Sequence, residues 1–450
     1  MREWLDERLG TAGLTKTALR KVFPDHWSFL LGEIALFAFV VLVATGTFLT
    51  LFYRPDAAPV IYEGPFEPLQ GRETSAAFES VMRISFEVRS GLVMRQIHHW
   101  AALVFVAAIV VHMVRVFFTG AFRKPRDINW LVGIGLLLIA LGMGFTGYSL
   151  PDDLLSGTGL RIAYSVLLSI PFVGPHLAFL AFGGEFPTES VISRLFVMHV
   201  MLFPGMIVGL LVAHLAILVR QKHAQFAGPG RTETNIVGQR LWPSQALKSL
   251  GLLFLTASVL ALMGGLIQIN PVWDFGPFVP TSVSSPAQPD WYMGWLEGAL
   301  RLFPPIEFTV FGVTIASSFL PGVLIPGAIF TGLALWPWIE RRVTGDQGDH
   351  HLLDRPTDVP LRFAVGVAGL VLFLVLTLAG GNDVLSLLFD VSIARINLFL
   401  RAAVFVGPAL AALLAARFAR SVGSDVFEGS VRGPGVRLKR GREGGFTEAP

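Results

Sequence analysis

The 450-residue chain contains no cysteine. That excludes disulfides, thiolate-held iron–sulfur clusters and thioether-attached haem, so any redox centre must use other ligands. Charge is scarce as well: 15% of residues are Asp, Glu, Lys or Arg, against about 25% in soluble chains. The net charge of +3 gives no footprint for nucleic acid. The first 24 residues lack an unbroken apolar core or a cleavage site, which argues against a secretory signal. Their mixture of charged and apolar residues suits an amphipathic helix lying on a membrane surface.

What is abundant is apolar. Hydrophobic residues make up 53% of the chain and mean hydropathy is +0.62. Eight stretches are long enough to cross about 30 Å of hydrocarbon: residues 29–52, 94–118, 130–150, 196–219, 246–269, 313–338, 363–378 and 398–418. An all-α integral membrane protein follows, with eight transmembrane helices, a polar connection over 221–244 and long loops over 53–93 and 270–312. Residues 1–223 read as a first domain of four spans, 224–420 as a second of four, and 421–450 as a disordered tail rich in Gly and basic residues. Most of the 35 Lys and Arg residues fall in the termini and the even-numbered loops, so the positive-inside rule expects both termini in the cytoplasm.

Four of the ten histidines form a pattern. His98 and His112 are 14 residues apart on the second span, returning to within about 40° of one direction at levels about 21 Å apart. His199 and His214 are 15 apart on the fourth span, about 60° out of line and about 22 Å apart. The two helices run parallel, so His98 pairs with His199 near the outer face and His112 with His214 toward the cytoplasm. Imidazoles facing across a bundle are suitable axial ligands for haem iron. The expectation is a four-helix bundle, formed by the first four spans, that holds two non-covalent b-type haems. His99 rotates to roughly the opposite face from His112 and is not expected to be a ligand. Gly32 and Gly46, and Gly133 and Gly147, repeat the 14-residue interval and would let a haem edge approach the backbone. Arg95 and Arg115 could pair with haem propionates.

These residues resemble the cytochrome b of quinol–cytochrome c reductases. The resemblance lies in VATGTFLTLFYRP, RQIHHW through VHMVR, TGYSLP, the His199/His214 pair and Pro289-Asp290-Trp291-Tyr292. It implies an outer site oxidising quinol, an inner site reducing quinone, and proton release outside with uptake inside. It also implies a Rieske iron–sulfur subunit and a cytochrome c subunit as partners, a homodimer of the complex, and association with a terminal oxidase in the cell's inner membrane. Asp290 stands where the family usually has glutamate. With Asp152 and Asp153 after TGYSLP, this resembles actinobacterial chains and implies menaquinone.

Pro289 suits the first turn of a short helix, which would put Asp290 near an N-terminus as proton acceptor. Glu297 could share or replace that role, and Tyr292 and Tyr148 could supply hydrogen bonds. Arg220, Lys222, His223, Lys248 and Ser249 are candidates for the inner quinone. Two other readings use the same residues: a dihaem anchor of another quinone-linked dehydrogenase, and a transporter with buried histidines.

Overall fold

The computed structural model describes residues 19–282 and 288–422, with Trp4, Glu7 and Arg8, and the backbone of 423–429, 437–440 and 446–449. The expected amphipathic segment at the N-terminus falls largely outside the described residues. The last helix runs on to Gly429, and Arg437–Arg440 pairs antiparallel with Phe446–Ala449; the rest of the expected tail lies outside the described residues.

Among the described residues, eight apolar helices are long enough to span a membrane: Trp27–Thr50, Gly91–Phe118, Asp127–Ser149, Val191–Gln221, Leu241–Leu266, Leu320–Thr344, Pro360–Gly380 and Ile393–Val422. The first packs on the second, the third on the fourth, and the seventh on the eighth. A core of Ala35, Ala38, Ala101, Phe105, Ala140, Met143 and Ile207 draws on the first four spans. Alanine at these crossings lets helices approach closely where lipid provides no hydrophobic drive. The fifth span leans on the first and second, and its Leu260 joins the same core.

Two spans differ from expectation. The sixth begins at Leu320 instead of residue 313, because Phe308–Val310 and Val313–Ile315 pair as a hairpin. Its two turn residues, Phe311 and Gly312, have φ of 50° and 78°, the left-handed pair that a two-residue hairpin needs. The seventh is longer than 363–378, starting at Pro360. Arg362, inside the added turn, is 1% exposed and fully paired: Nε donates to Glu340 at 2.9 Å and Nη1 to Asp354 at 2.8 Å. Arg123 reaches Asp354 at 3.2 Å. This neutral cluster of two arginines and two carboxylates ties the sixth and seventh spans to the turn between the second and third.

The odd-numbered loops are helical. Ala76–Phe86 lies between the first two spans, and Leu154–Leu168 and Gly174–Phe182 lie between the third and fourth. Asp153 caps Leu154–Leu168 by accepting from the Ser156 amide at 2.8 Å. Trp291–Leu302 precedes the sixth span and packs against the seventh.

Candidate functional site

The paired histidines come together through a helix irregularity. His98 and His199 have ring centroids 6.1 Å apart, and His112 and His214 are electrostatic neighbours at the other depth. The sequence interval left His199 and His214 about 60° out of line on a regular helix. The structure removes that mismatch with a π-turn over Met198–Leu202, where the Phe203 amide donates to Met198. A π-turn takes up one extra residue, so 15 positions serve as 14. Pro204 lacks the N–H that a regular rung to Val200 would use, which favours the irregular turn here.

Hydrogen bonds fix the imidazoles of the His98/His199 pair. His199 Nδ1 donates to the Met143 carbonyl at 2.9 Å. Thr45 gives its hydroxyl proton to the Val41 carbonyl at 2.7 Å, so His98 Nδ1, 2.9 Å from Thr45 Oγ1, is a donor. With Nδ1 protonated in both rings, each Nε2 keeps a lone pair for a metal. The four expected glycines stand behind the four rings. A Cβ would lie 3.1 Å from His98 at Gly46, 3.3 Å from His112 at Gly32, 2.4 Å from His199 at Gly147 and 3.8 Å from His214 at Gly133. The imidazoles lie against the space that these glycines clear.

These residues fit a b-type haem. Two neutral imidazoles facing each other across the bundle, with ring centroids 6.1 Å apart, are a donor set that suits haem iron. A cavity of about 280 Å³ is bordered by Gly46, Arg95, His98, Gly147 and His199. Arg95 Nη1 donates to the Asn270 carbonyl at 2.9 Å, while its Nε and Nη2 are buried without partners, as is Arg115 Nη2. Unpaired buried guanidinium nitrogens are costly, and carboxylates of a bound group would satisfy them.

A second cavity of about 330 Å³ adjoins the first. Its walls include Phe145, Leu155, Met293 and Leu296, with polar groups from Gln288, Tyr148, Asp290, Tyr292 and Glu297. Asp290, Tyr148 and Tyr292 border both cavities. The short helix starts at Trp291, so Pro289 precedes it and Asp290 takes the cap position without a capping bond. Its carboxylate instead accepts from His99 Nε2 at 2.9 Å and from the Tyr292 hydroxyl at 3.0 Å. Tyr292 is 2% exposed and fits because Gly144 has no side chain; a Cβ there would be 2.5 Å from its Oη. Burial and the adjacent Asp290 hold the Tyr292 phenol well above its usual pKa, so it stays a donor.

Glu297 lines the second cavity but is ion-paired with Arg301, which also bonds Asn382 at 2.5 Å and Asp383 at 3.1 Å. Burial still pushes the Glu297 carboxyl up. His99 is the functional candidate that ligand reasoning passed over. Its rotation away from His112 was legible, but the partner it finds is 191 positions along the chain.

At the start of the fifth span, Lys248 is tied to Asp25 at 2.8 Å. Ser249 lies 3.5 Å from Gln245, which donates to Glu33 at 3.1 Å. His223 packs on Phe23 with ring centroids 4.7 Å apart, and burial lowers its pKa to about 4. Arg220 and Lys222 stand at the end of the fourth span.

Comparison with known proteins agrees with this architecture. The family model "Cytochrome b(N-terminal)/b6/petB" matches residues 103–277. The cytochrome bc1 complex cytochrome b subunit of Streptomyces coelicolor is 50% identical over 91% of this chain and 75% of its own length. The subunit of the same name from Mycobacterium tuberculosis is 51% identical over 87% and 71%, and that from Corynebacterium efficiens 46% over 90% and 75%. A solved "Hyperthermophilic respiratory Complex III" chain superposes with a TM-score of 0.69 over 94% of this chain and 100% of that one. At 20% identity that match speaks for the fold. Half the residues shared over nine-tenths of the chain decide the rest: the chain belongs to the family of cytochrome b subunits of cytochrome bc1 complexes.

Proposed function

We propose that the chain is the dihaem subunit of a respiratory quinol–cytochrome c reductase and that the cavity beside Asp290 is its quinol-oxidising site. The observation that carries this reading is the position of Asp290, a carboxylate on the wall between an apolar cavity and the cavity of the His98/His199 pair. His98 with His199, and His112 with His214, would hold one haem each, with Arg95 and Arg115 taking propionates and Gly32, Gly46, Gly133 and Gly147 seating the rings. When bound, the haems supply one-electron transfer between an outer quinol-oxidising and an inner quinone-reducing site, the two halves of a proton-translocating Q cycle.

The chain's own residues handle the quinol and its protons. The apolar walls accept a quinone ring and exclude water. Asp290 accepts a quinol proton through the oxygen held by Tyr292 or by His99. Tyr292, kept protonated, steadies the carboxylate, and Tyr148 offers a second hydroxyl from the third span. Asp290 is favoured over Glu297 as acceptor, because Glu297 is engaged by Arg301 and borders one cavity, whereas Asp290 borders both. The actinobacterial resemblance makes menaquinol the expected substrate. Charge asymmetry supports both termini in the cytoplasm, and the family resemblance supports the cell's inner membrane. A Rieske subunit and a cytochrome c subunit carry electrons away, within a homodimer that also engages a terminal oxidase.

An anchor for another dehydrogenase would also hold haems, but would not need a carboxylate between a haem cavity and a quinol cavity. The deciding experiment replaces Asp290 with Asn in the intact complex and measures quinol-driven reduction of cytochrome c. Turnover should fall at least tenfold with haem content unchanged. Native turnover would remove Asp290 from the chemistry.

A further inference from the structure

His98 and His99 are consecutive on the second span, so their rings point about 100° apart. One faces His199 across the bundle. The other reaches out of the span to the short helix Trp291–Leu302, where its Nε2 donates to Asp290 Oδ1 at 2.9 Å, both side chains 14% exposed. We infer that His99 is a positioning residue for quinol oxidation, holding the Asp290 carboxylate on the wall shared by the two cavities. The inference rests on the reading of the second cavity as the quinol site.

The physical problem it solves is local. Asp290 sits at the start of a helix whose first amides lack intrahelical partners. An aspartate there ordinarily turns back to cap those amides, with the helix dipole favouring it. In this position it makes no such bond. Two donors hold it away: Tyr292 on one oxygen and His99 on the other. Tyr292 belongs to the same helix, so it constrains the carboxylate only relative to that helix. His99 belongs to another element, the span that also carries His98. It therefore sets the height and direction of the carboxylate relative to the first cavity, a placement the loop helix by itself does not supply.

The test uses the intact, detergent-extracted complex with reduced 2,3-dimethyl-1,4-naphthoquinone as donor and cytochrome c reduction as readout. His99→Phe, which fills the space without an N–H, should lower kcat about tenfold while KM stays within about twofold. His99→Asn, too short to reach, should behave alike and serves if the Phe variant fails to assemble. His99→Gln, which can extend an amide N–H toward Asp290, should recover most of the rate. The reduced-minus-oxidised haem spectrum should keep its amplitude in all three, separating loss of positioning from damage at His98. Combined with Asp290→Asn, His99→Phe should add no further loss, because the two act through one contact. Native turnover in His99→Phe and His99→Asn, no recovery in His99→Gln, or additive losses in the double variant would each overturn the inference. Native turnover in Asp290→Asn alone would instead overturn the underlying reading of the cavity, and this inference with it.

Discussion

Gly147 stands directly behind the imidazole of His199: a Cβ at that position would lie 2.4 Å from the ring's Cε1. At Gly133 the same atom would lie 3.8 Å from His214, an ordinary contact. The two glycines are one 14-residue interval apart on the third span, yet they differ in how much they permit.

Gly147→Ala should therefore displace His199 and cost the outer haem, while Gly133→Ala should be tolerated. The ratio of b-type haem to this subunit in the purified complex checks this. The Gly147 variant should approach half the parent value and the Gly133 variant should match it.

The π-turn at Met198–Leu202 makes a second expectation. Deleting Met201, which is 68% exposed and lies inside the turn, removes the surplus residue and leaves the histidine pair on a regular helix in phase. Deleting Val208, 49% exposed but in regular helix, turns His199 about 100° away from His214. Haem spectra should be retained in the first and lose a component in the second.

Asp153 is 1% exposed, and burial raises its carboxyl from 3.8 to about 6 against the help of the Ser156 bonds. An acid whose folded pKa lies above its unfolded one opposes folding once it ionises. Its contribution to stability therefore falls as pH rises from about 4 to about 6, by roughly 2–3 kcal/mol. Asn caps a helix as well as Asp does. Asp153→Asn should raise the thermal midpoint of the complex at pH 7.5, and the gain over the parent should shrink as pH is lowered toward 4.

Arg362 neutralises Glu340 and Asp354 in a buried setting. Arg362→Met removes the guanidinium that bridges two buried carboxylates and should destabilise by about 3–5 kcal/mol. Arg362→Lys should also lose stability, because an ammonium cannot reproduce the fork that serves both partners. Thermal melts of the extracted complex read both, with the expected order parent, Lys, Met.

Much of this architecture was legible because a bilayer imposes simple rules on sequence. Eight apolar stretches became eight helices, and the 14-residue return of His98 and His112 placed two depths on one face. Legibility failed where a tertiary partner changed the meaning of a residue. Arg362 lay just outside the seventh span as read from sequence, and belongs to it because Glu340 and Asp354 neutralise it. Val313–Ile315 looked like membrane helix until Phe311 and Gly312 turned it into a hairpin. The 15-residue interval looked misaligned, since helix pitch says nothing of a π-turn. Asp290 was legible as the acidic residue of its loop, but its hydrogen bond to His99 joins residues 191 positions apart, beyond any local pattern.

The central claim is that two histidine pairs at two depths carry two haems in this chain. A potentiometric titration of the complex, followed in the b-haem absorbance band, tests it most directly. Two resolved one-electron components are expected, with His199→Leu abolishing one and His214→Leu the other. A single component in the parent complex, or a component that survives both substitutions, would contradict it.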